Sequence, residues 1–144
     1  MGMRESAFKC KPAVTFIEIL VAAAISVITL TVVLILLMNC SFTRKEASNL
    51  TVATAHAETV LENIKLSNFA NIETDINNGS WTFTQSQISA DSRFNNFPLL
   101  SNETIQTAVI QSGDPLIVSV IVNWSSIRNS SLIRNVEFRT LISN

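Results

Sequence analysis

The chain contains few of the residues that break or cross-link a fold. Its 144 residues include three glycines, three prolines, two cysteines and no tyrosine. So little glycine excludes a collagen-like chain, and a hydrophobic fraction of 47% excludes a disordered one. The formal net charge of −1 excludes a nucleic-acid-binding protein that relies on an overall positive charge to displace counterions from the phosphate backbone. No nucleic acid is therefore expected among the partners.

Residues suited to catalysis are also scarce. His56 is the single histidine, and it lies two residues from Glu58, so a helix would direct the two side chains to different faces. The sequence contains no glycine-rich phosphate loop, no nucleophile elbow and no metal-binding Cys/His spacing. Asp91, Glu103 and Asp114 are predicted to be scattered loop acids whose spacing does not support a calcium site. His56 is predicted to lie at the surface or at a helix–sheet boundary, and neither an enzyme nor a cofactor or metal is expected.

One long apolar run, residues 14–38, lies near the N-terminus. As a helix that rises about 1.5 Å per residue, it spans roughly 37 Å, which is enough to cross a hydrocarbon core of about 30 Å with some tilt. The preceding residues carry Arg4, Lys9 and Lys11 against the single acid Glu5. This excess of positive charge favours a cytoplasmic N-terminus.

Three interpretations of this N-terminus compete. A cleaved secretory signal is disfavoured, because cleavage after the small residues 22–24 would leave the apolar residues 25–38 at the new terminus. An uncleaved signal anchor fits the length and the charge. It does not explain Glu18, because an ionised carboxylate inside a membrane span costs free energy and needs a compensating interaction.

The third interpretation comes from residues 11–21, which have the sequence KPAVTFIEILV. This segment resembles the N-terminal motif of type IV pilins and type II secretion pseudopilins. In that family a short basic leader ends in a small residue, usually glycine, and an aromatic residue, Thr, Leu, Ile and Glu follow. Aligned on Glu18, Ala13 falls at the last leader position and Val14 becomes the first mature residue.

The resemblance implies a processing step and a role for the acid. A membrane-embedded prepilin peptidase would cleave between Ala13 and Val14, and the new amine of Val14 would be methylated. Glu18 would then neutralise the freed ammonium group of a neighbouring subunit, because each of these charges is costly alone in an apolar environment. Glu18 is therefore expected to set the register of subunit assembly.

The same resemblance implies partners and a location. The partners would be the prepilin peptidase, other pilins or pseudopilins in a hetero-oligomeric filament, an inner-membrane assembly platform and membrane lipid. The chain would cross the bacterial inner membrane once, with its C-terminal domain periplasmic or extracellular. We expect a minor pilin or pseudopilin, a structural subunit of a type IV pilus or a type II secretion pseudopilus. Subunits of DNA-uptake machines have the same kind of N-terminus, so the sequence does not distinguish among these three machines. The alternative is an uncleaved single-pass anchor with an extracytoplasmic binding domain.

The remainder of the chain predicts an α+β fold in which the long helix packs on a small antiparallel sheet. Beyond the span the helix continues to about residue 65 and becomes amphipathic, with an apolar stripe at spacings of three and four that is suited to covering a sheet. The members of this stripe are Leu50, Ala53, Ala57, Val60, Leu61 and Ile64. The helix is expected to end between residues 66 and 78, where Ser, Asn and Asp accumulate.

Alternating patterns predict the strands. Residues 81–84 form a short strand, and residues 85–103 are expected to be a polar loop that either binds a partner or is disordered. An antiparallel meander is expected to follow, with strands at 104–111, 116–124 and 132–142. The predicted organisation is a leader at 1–13, a transmembrane segment at 14–38, its amphipathic continuation at 39–68, and a domain of loop plus β-meander at 69–144.

The two cysteines fall on opposite sides of the predicted span. Cys10 lies in the leader and Cys40 lies just beyond the apolar run, so they cannot form a disulfide within one chain before processing. After processing Cys10 is removed. Cys40 is predicted to behave as a small buried apolar residue and not as a reactive thiol.

Overall fold

The structure is a computed structural model that describes residues 15–143. It contains two compact units, one that ends at Cys40 and one that begins at Ser41. The predicted leader and the processing positions lie outside the described residues. These are the leader charges Arg4, Lys9 and Lys11, the leader cysteine Cys10, and the cleavage and methylation positions Ala13 and Val14.

The first element is a single long helix, α1, which runs from Phe16 to Leu66 over 51 residues. Neither proline nor glycine occurs within it, so no residue removes a hydrogen bond from the helix or favours an early end. Both ends lie within two residues of the predicted ones, and the predicted single long helix is confirmed.

In the first unit, the residues of α1 up to Cys40 are all exposed. Phe16 is 77% exposed and Leu37 is 59% exposed, so the apolar side chains of this segment have no cover within the chain. The helix is long and apolar enough to cross a membrane. An uncovered apolar surface of this kind is suited to lipid or to other apolar helices.

In the second unit, the later part of α1 contributes one face to the core. Ala53 and Ala57 are completely buried, and their small side chains let the sheet approach the helix closely. The predicted stripe is largely confirmed, but Leu50 is 47% exposed and Val52 is buried instead. The buried residues of α1 are Val52, Ala53, His56, Ala57, Val60, Leu61 and Ile64.

A four-stranded antiparallel sheet forms the other layer of the second unit. The strands are β1 (Phe83–Thr84), β2 (Thr104–Gln111), β3 (Leu116–Ser125) and β4 (Ile133–Ile142), and their spatial order is β1-β2-β3-β4. The predicted meander of β2, β3 and β4 is confirmed, with each of these three strands within one residue of its predicted ends, whereas β1 begins two residues later than predicted. Alternate residues of β3 are buried under α1, as the pattern of valines predicted.

Two segments that were predicted as irregular contain helices. The first, α2, runs from Phe69 to Asn77 and buries Ile72 and Ile76, which are four residues apart and so share one helix face. The second, α3, runs from Gln85 to Ala90, inside the segment that was predicted as a polar loop. That prediction is wrong, because Ile88 and two further residues of this segment, Phe94 and Leu100, are buried in the core.

Candidate functional site

The candidate assembly residue Glu18 lies in the first turn of α1. Both the backbone N–H and the hydroxyl of Thr15 donate to Glu18 Oε2, at 2.7 and 3.0 Å. The carbonyl of Thr15 in turn accepts from the backbone N–H of Glu18 at 3.0 Å. A threonine followed three residues later by a glutamate is the spacing of a capping box, in which the acid satisfies a backbone donor that the helix leaves unpaired.

This capping role was not predicted, although the Thr-x-x-Glu spacing signals it in the sequence. It also leaves room for the predicted pairing. Both hydrogen bonds from Thr15 end on Oε2, and a carboxylate offers about four lone-pair positions on its two oxygens. No donor among residues 15–143 bonds to Oε1 of Glu18, so this oxygen can accept from a further donor, such as an ammonium group.

A fully buried polar contact of the second unit joins α1 to the residue that precedes β2. His56 Nδ1 and Glu103 Oε1 are 2.6 Å apart, and both residues are 0% exposed. The carboxylate oxygen accepts, so the imidazole donates from Nδ1. Oε2 of Glu103 accepts from the backbone N–H of Leu100 at 2.9 Å. His56 lies on the face of α1 that packs on the sheet, so of the two predicted positions the helix–sheet boundary is confirmed and the surface is wrong. Glu103 lies in the loop before β2 as predicted, but its burial and its pairing with His56 were not predicted.

Aromatic rings enclose this pair. Phe94 and Phe97 lie edge-on to the imidazole of His56, with ring centroids 5.2 and 5.8 Å away. Nε2 of His56 is buried and has no hydrogen-bond partner among the described residues. A histidine oriented by an acid can act as a general base only if its second nitrogen reaches a substrate or a nucleophile. This arrangement instead fastens the segment before β2 to α1.

A second ion pair organises the segment between α3 and β2. The guanidinium of Arg93 donates to both oxygens of Asp91, and this hydrogen bonding holds the pKa of the Asp91 carboxyl below its usual range. The same guanidinium lies 5.2 Å from the ring centroid of Phe83 and 5.7 Å from that of Trp81. Stacking of this kind adds a cation–π attraction. Asp91, predicted as a scattered loop acid, is therefore part of an ordered cluster.

Glu46 of α1 holds the chain segment that follows β3. Its Oε1 accepts from the hydroxyl of Ser126 at 2.6 Å and from the backbone N–H of Ile127 at 3.0 Å. Ser126 is 4% exposed, so this connection is shielded from water on one side.

Replacing Glu46 with alanine is expected to destabilise the second unit by about 1–2 kcal/mol, because two charge-assisted hydrogen bonds are lost. Thermal unfolding of the full chain in detergent, followed by near-ultraviolet circular dichroism of Trp81 and Trp124, measures the change. Glu58→Ala is the matched control, since Glu58 is an exposed acid of the same helix. Equal destabilisation by the two variants would contradict the role of Glu46.

The remaining candidate positions do not form a site. Among residues 15–143, no three His, Cys, Asp or Glu side chains lie where they could hold a metal ion. Asp114 lies in the turn between β2 and β3. Cys40 is an exposed free thiol, so the prediction that it is buried is wrong for the single chain.

Comparison with known proteins adds no relative. No protein-family model matches the chain, and no curated protein and no solved structure matches it.

Proposed function

We propose that the chain is a minor pilin or pseudopilin, a structural subunit that joins a type IV pilus or a type II secretion pseudopilus after cleavage between Ala13 and Val14. The observation that supports this most is the position of Glu18 in the first turn of a 51-residue helix. That helix leaves its first half uncovered and covers a small antiparallel sheet with its second half.

The first half of α1 is suited to move from lipid into a filament core. The hydroxyls of Ser26, Thr29 and Thr31 are already satisfied, because each donates to a backbone carbonyl three or four residues earlier, at 2.7, 3.0 and 2.8 Å. Transfer from lipid to a bundle of similar helices exchanges one apolar environment for another, and side-by-side packing supplies the attraction. The exchange therefore exposes no unsatisfied hydroxyl.

Glu18 is the charged group in that transfer. In lipid a lone carboxylate is costly, and in a filament an ammonium group at the start of a neighbouring helix compensates it. Oε1, to which no donor in the described part of the chain bonds, provides the acceptor, while Thr15 fixes the other oxygen and so orients the group. Cleavage after Ala13 supplies the ammonium group, which is why processing and assembly are coupled in this proposal.

The second candidate function is an uncleaved single-pass anchor with an extracytoplasmic binding domain. The capping contact between Thr15 and Glu18 favours it, because this contact gives the acid a local purpose that needs no neighbouring subunit. The pilin function therefore requires cleavage after Ala13 and the charge of Glu18 for assembly, whereas the anchor function requires neither.

Co-expression of the full chain with a prepilin peptidase distinguishes the two. Intact-mass spectrometry is expected to find a new terminus at Val14, with one methyl group on its amine. Ala13→Arg is the control, because a bulky charged side chain at the last leader position should block cleavage while leaving the mature sequence unchanged. A wild-type chain that retains Met1 in the presence of active peptidase would contradict the proposal and favour the anchor.

A further inference from the structure

The loop between β3 and β4, residues 126–132, is held against α1 just beyond the apolar run. Arg44 and Lys45 are the first charged residues that follow this run in the sequence. Cations at the end of a membrane span lie at the level of the lipid headgroups. The next residue, Glu46, accepts from the backbone N–H of Ile127 at 3.0 Å. The β3–β4 loop is therefore fixed at the level of α1 where a membrane surface would lie.

The other end of the sheet lies away from this level. The turn between β2 and β3 is held beside α2, because the hydroxyl of Ser112 donates to Glu73 at 2.7 Å. The helix α2 follows the end of α1 at Leu66, about 30 Å further along the helix than Glu46. The strand β3 therefore runs from the α2 end of the unit back to the level of Arg44, and the β3–β4 loop lies at that level.

Several cations at this level have no acid to pair with. They are exposed, and none of them forms an ion pair among residues 15–143. Glu46 lies near them, but its Oε1 already accepts from two donors of the β3–β4 loop. Arg134 lines one cleft together with Glu46, and Arg128 directly follows Ile127. These cations are Arg44, Lys45, Arg128 and Arg134.

The other end of the second unit is mainly negative. Glu58, Glu62 and Asp114 are exposed towards that end, together with the cation Lys65. The second unit therefore presents positive charge at the level of Arg44 and negative charge away from it. This distribution is complementary to a membrane surface that contains anionic lipids, which attracts nearby cations and repels acids.

Large apolar side chains accompany the cations of the β3–β4 loop. Ile127, Leu132 and Ile133 are 40%, 45% and 68% exposed. Apolar side chains interspersed with cations are suited to the boundary between headgroups and acyl chains. An arginine has an apolar stem and a guanidinium that matches the geometry of a phosphate. Arg128 and Arg134 can therefore bind headgroup phosphates while the neighbouring apolar side chains lie deeper.

We propose that the β3–β4 loop and the start of β4 lie on the surface of the membrane that α1 spans. The side chains of Ile127, Leu132 and Ile133 enter the headgroup region. Arg128 and Arg134 bind the phosphates of anionic lipids. The contact adds to the anchor that α1 provides, so it needs little affinity of its own.

The covalent link to α1 favours lipid over a second copy of the chain as the occupant of this surface. Headgroups adjoin Arg44 in every inserted chain, so their effective concentration at the β3–β4 loop is high. A second copy that docked through the same surface would bring cations against cations, which repel each other. The lipid contact requires neither cleavage at Ala13 nor the charge of Glu18, so it is tested separately from the pilin proposal.

Quenching by lipid measures the depth of β4 at its two ends. The full chain, with Cys10→Ser and Cys40→Ser, carries one fluorophore on a cysteine at Ile133→Cys or at Leu141→Cys. The two positions share a face of β4, are about 26 Å apart along the strand, and are 68% and 65% exposed. In phosphatidylglycerol nanodiscs that each hold one chain, lipids with a spin-labelled headgroup are expected to quench the first fluorophore strongly and the second little. Equal quenching of the two fluorophores, or none at Ile133→Cys, would overturn the proposal.

Lipid charge and the two arginines are varied in the same assay. Phosphatidylcholine in place of phosphatidylglycerol is expected to weaken the contact at Ile133→Cys about tenfold, and so is Arg128→Gln combined with Arg134→Gln. Lys65→Gln is the matched control, because it removes an exposed cation from the other end of the unit and is expected to change nothing. Equal quenching in the two lipids, or wild-type quenching of the double variant, would overturn the proposal. Shielding of the fluorophore only in discs that hold two chains would identify a second copy as the occupant and would overturn it as well.

Discussion

Replacing Glu18 with valine is expected to leave membrane insertion intact and to remove the chain from filaments. In the proposed assembly, the ammonium group of one subunit would be left without its counter-ion inside an apolar bundle. Loss of one partner from a desolvated ion pair lowers such an equilibrium by roughly two orders of magnitude. The measurement is the fraction of processed chain that co-purifies with sheared filaments, compared with the fraction that remains in the membrane.

Valine also removes the capping contact with Thr15, so a second variant has to separate charge from capping. Glu18→Gln is the matched control, because an amide oxygen can still accept from the N–H and hydroxyl of Thr15 but has no negative charge. If charge pairing drives assembly, the glutamine variant fails as the valine variant does. Filament incorporation of Glu18→Gln at the wild-type level would contradict the pairing role and leave capping as the function of this acid.

The elements predicted from sequence are those whose determinants are local. The end of α1 and the three long strands follow from residue spacing, from the absence of proline and glycine in the helix, and from alternation in β3 and β4. The residues that cap the N-termini of α1 and α2 could also have been identified from the sequence. Thr15 and Glu18 have the capping-box spacing, and Asn68 precedes α2, where its side chain accepts from the backbone N–H of Ala70 at 3.1 Å. The signal at Asn68 was missed because a polar segment was equated with a loop, and the signal at Thr15 and Glu18 was missed because the acid was assigned to subunit assembly.

The pair of His56 and Glu103 could not be predicted in this way. The two residues are 47 positions apart, and no local pattern links a helix position to a residue that precedes a strand. Only the packing of α1 on the sheet brings them together. Their burial also depends on Phe94, which lies in a segment rich in polar residues and therefore gave no apolar period to detect.

Replacing Glu103 with alanine is expected to destabilise the second unit by about 3–5 kcal/mol. The variant leaves the imidazole of His56 without its acceptor in a fully enclosed position and leaves the backbone N–H of Leu100 unpaired. For a unit of about this size each kcal/mol lowers the melting temperature by roughly 4–8 °C. The full chain in detergent, followed by the fluorescence of Trp81 and Trp124, is therefore expected to melt at least about 12 °C lower.

A double-mutant cycle tests whether His56 and Glu103 stabilise the second unit as a pair or independently of each other. His56→Leu alone leaves the buried carboxylate of Glu103 with only the Leu100 N–H as a donor. His56→Leu combined with Glu103→Leu removes both side-chain partners and leaves only the Leu100 N–H unpaired. The double variant is therefore expected to be less destabilised than the sum of the single leucine variants, by about 0.5–3 kcal/mol. Glu62→Ala, at an exposed acid of α1, controls for the loss of any negative charge. Strictly additive effects would contradict a coupled pair, because buried groups that hydrogen-bond each other lose the same interaction when either is removed.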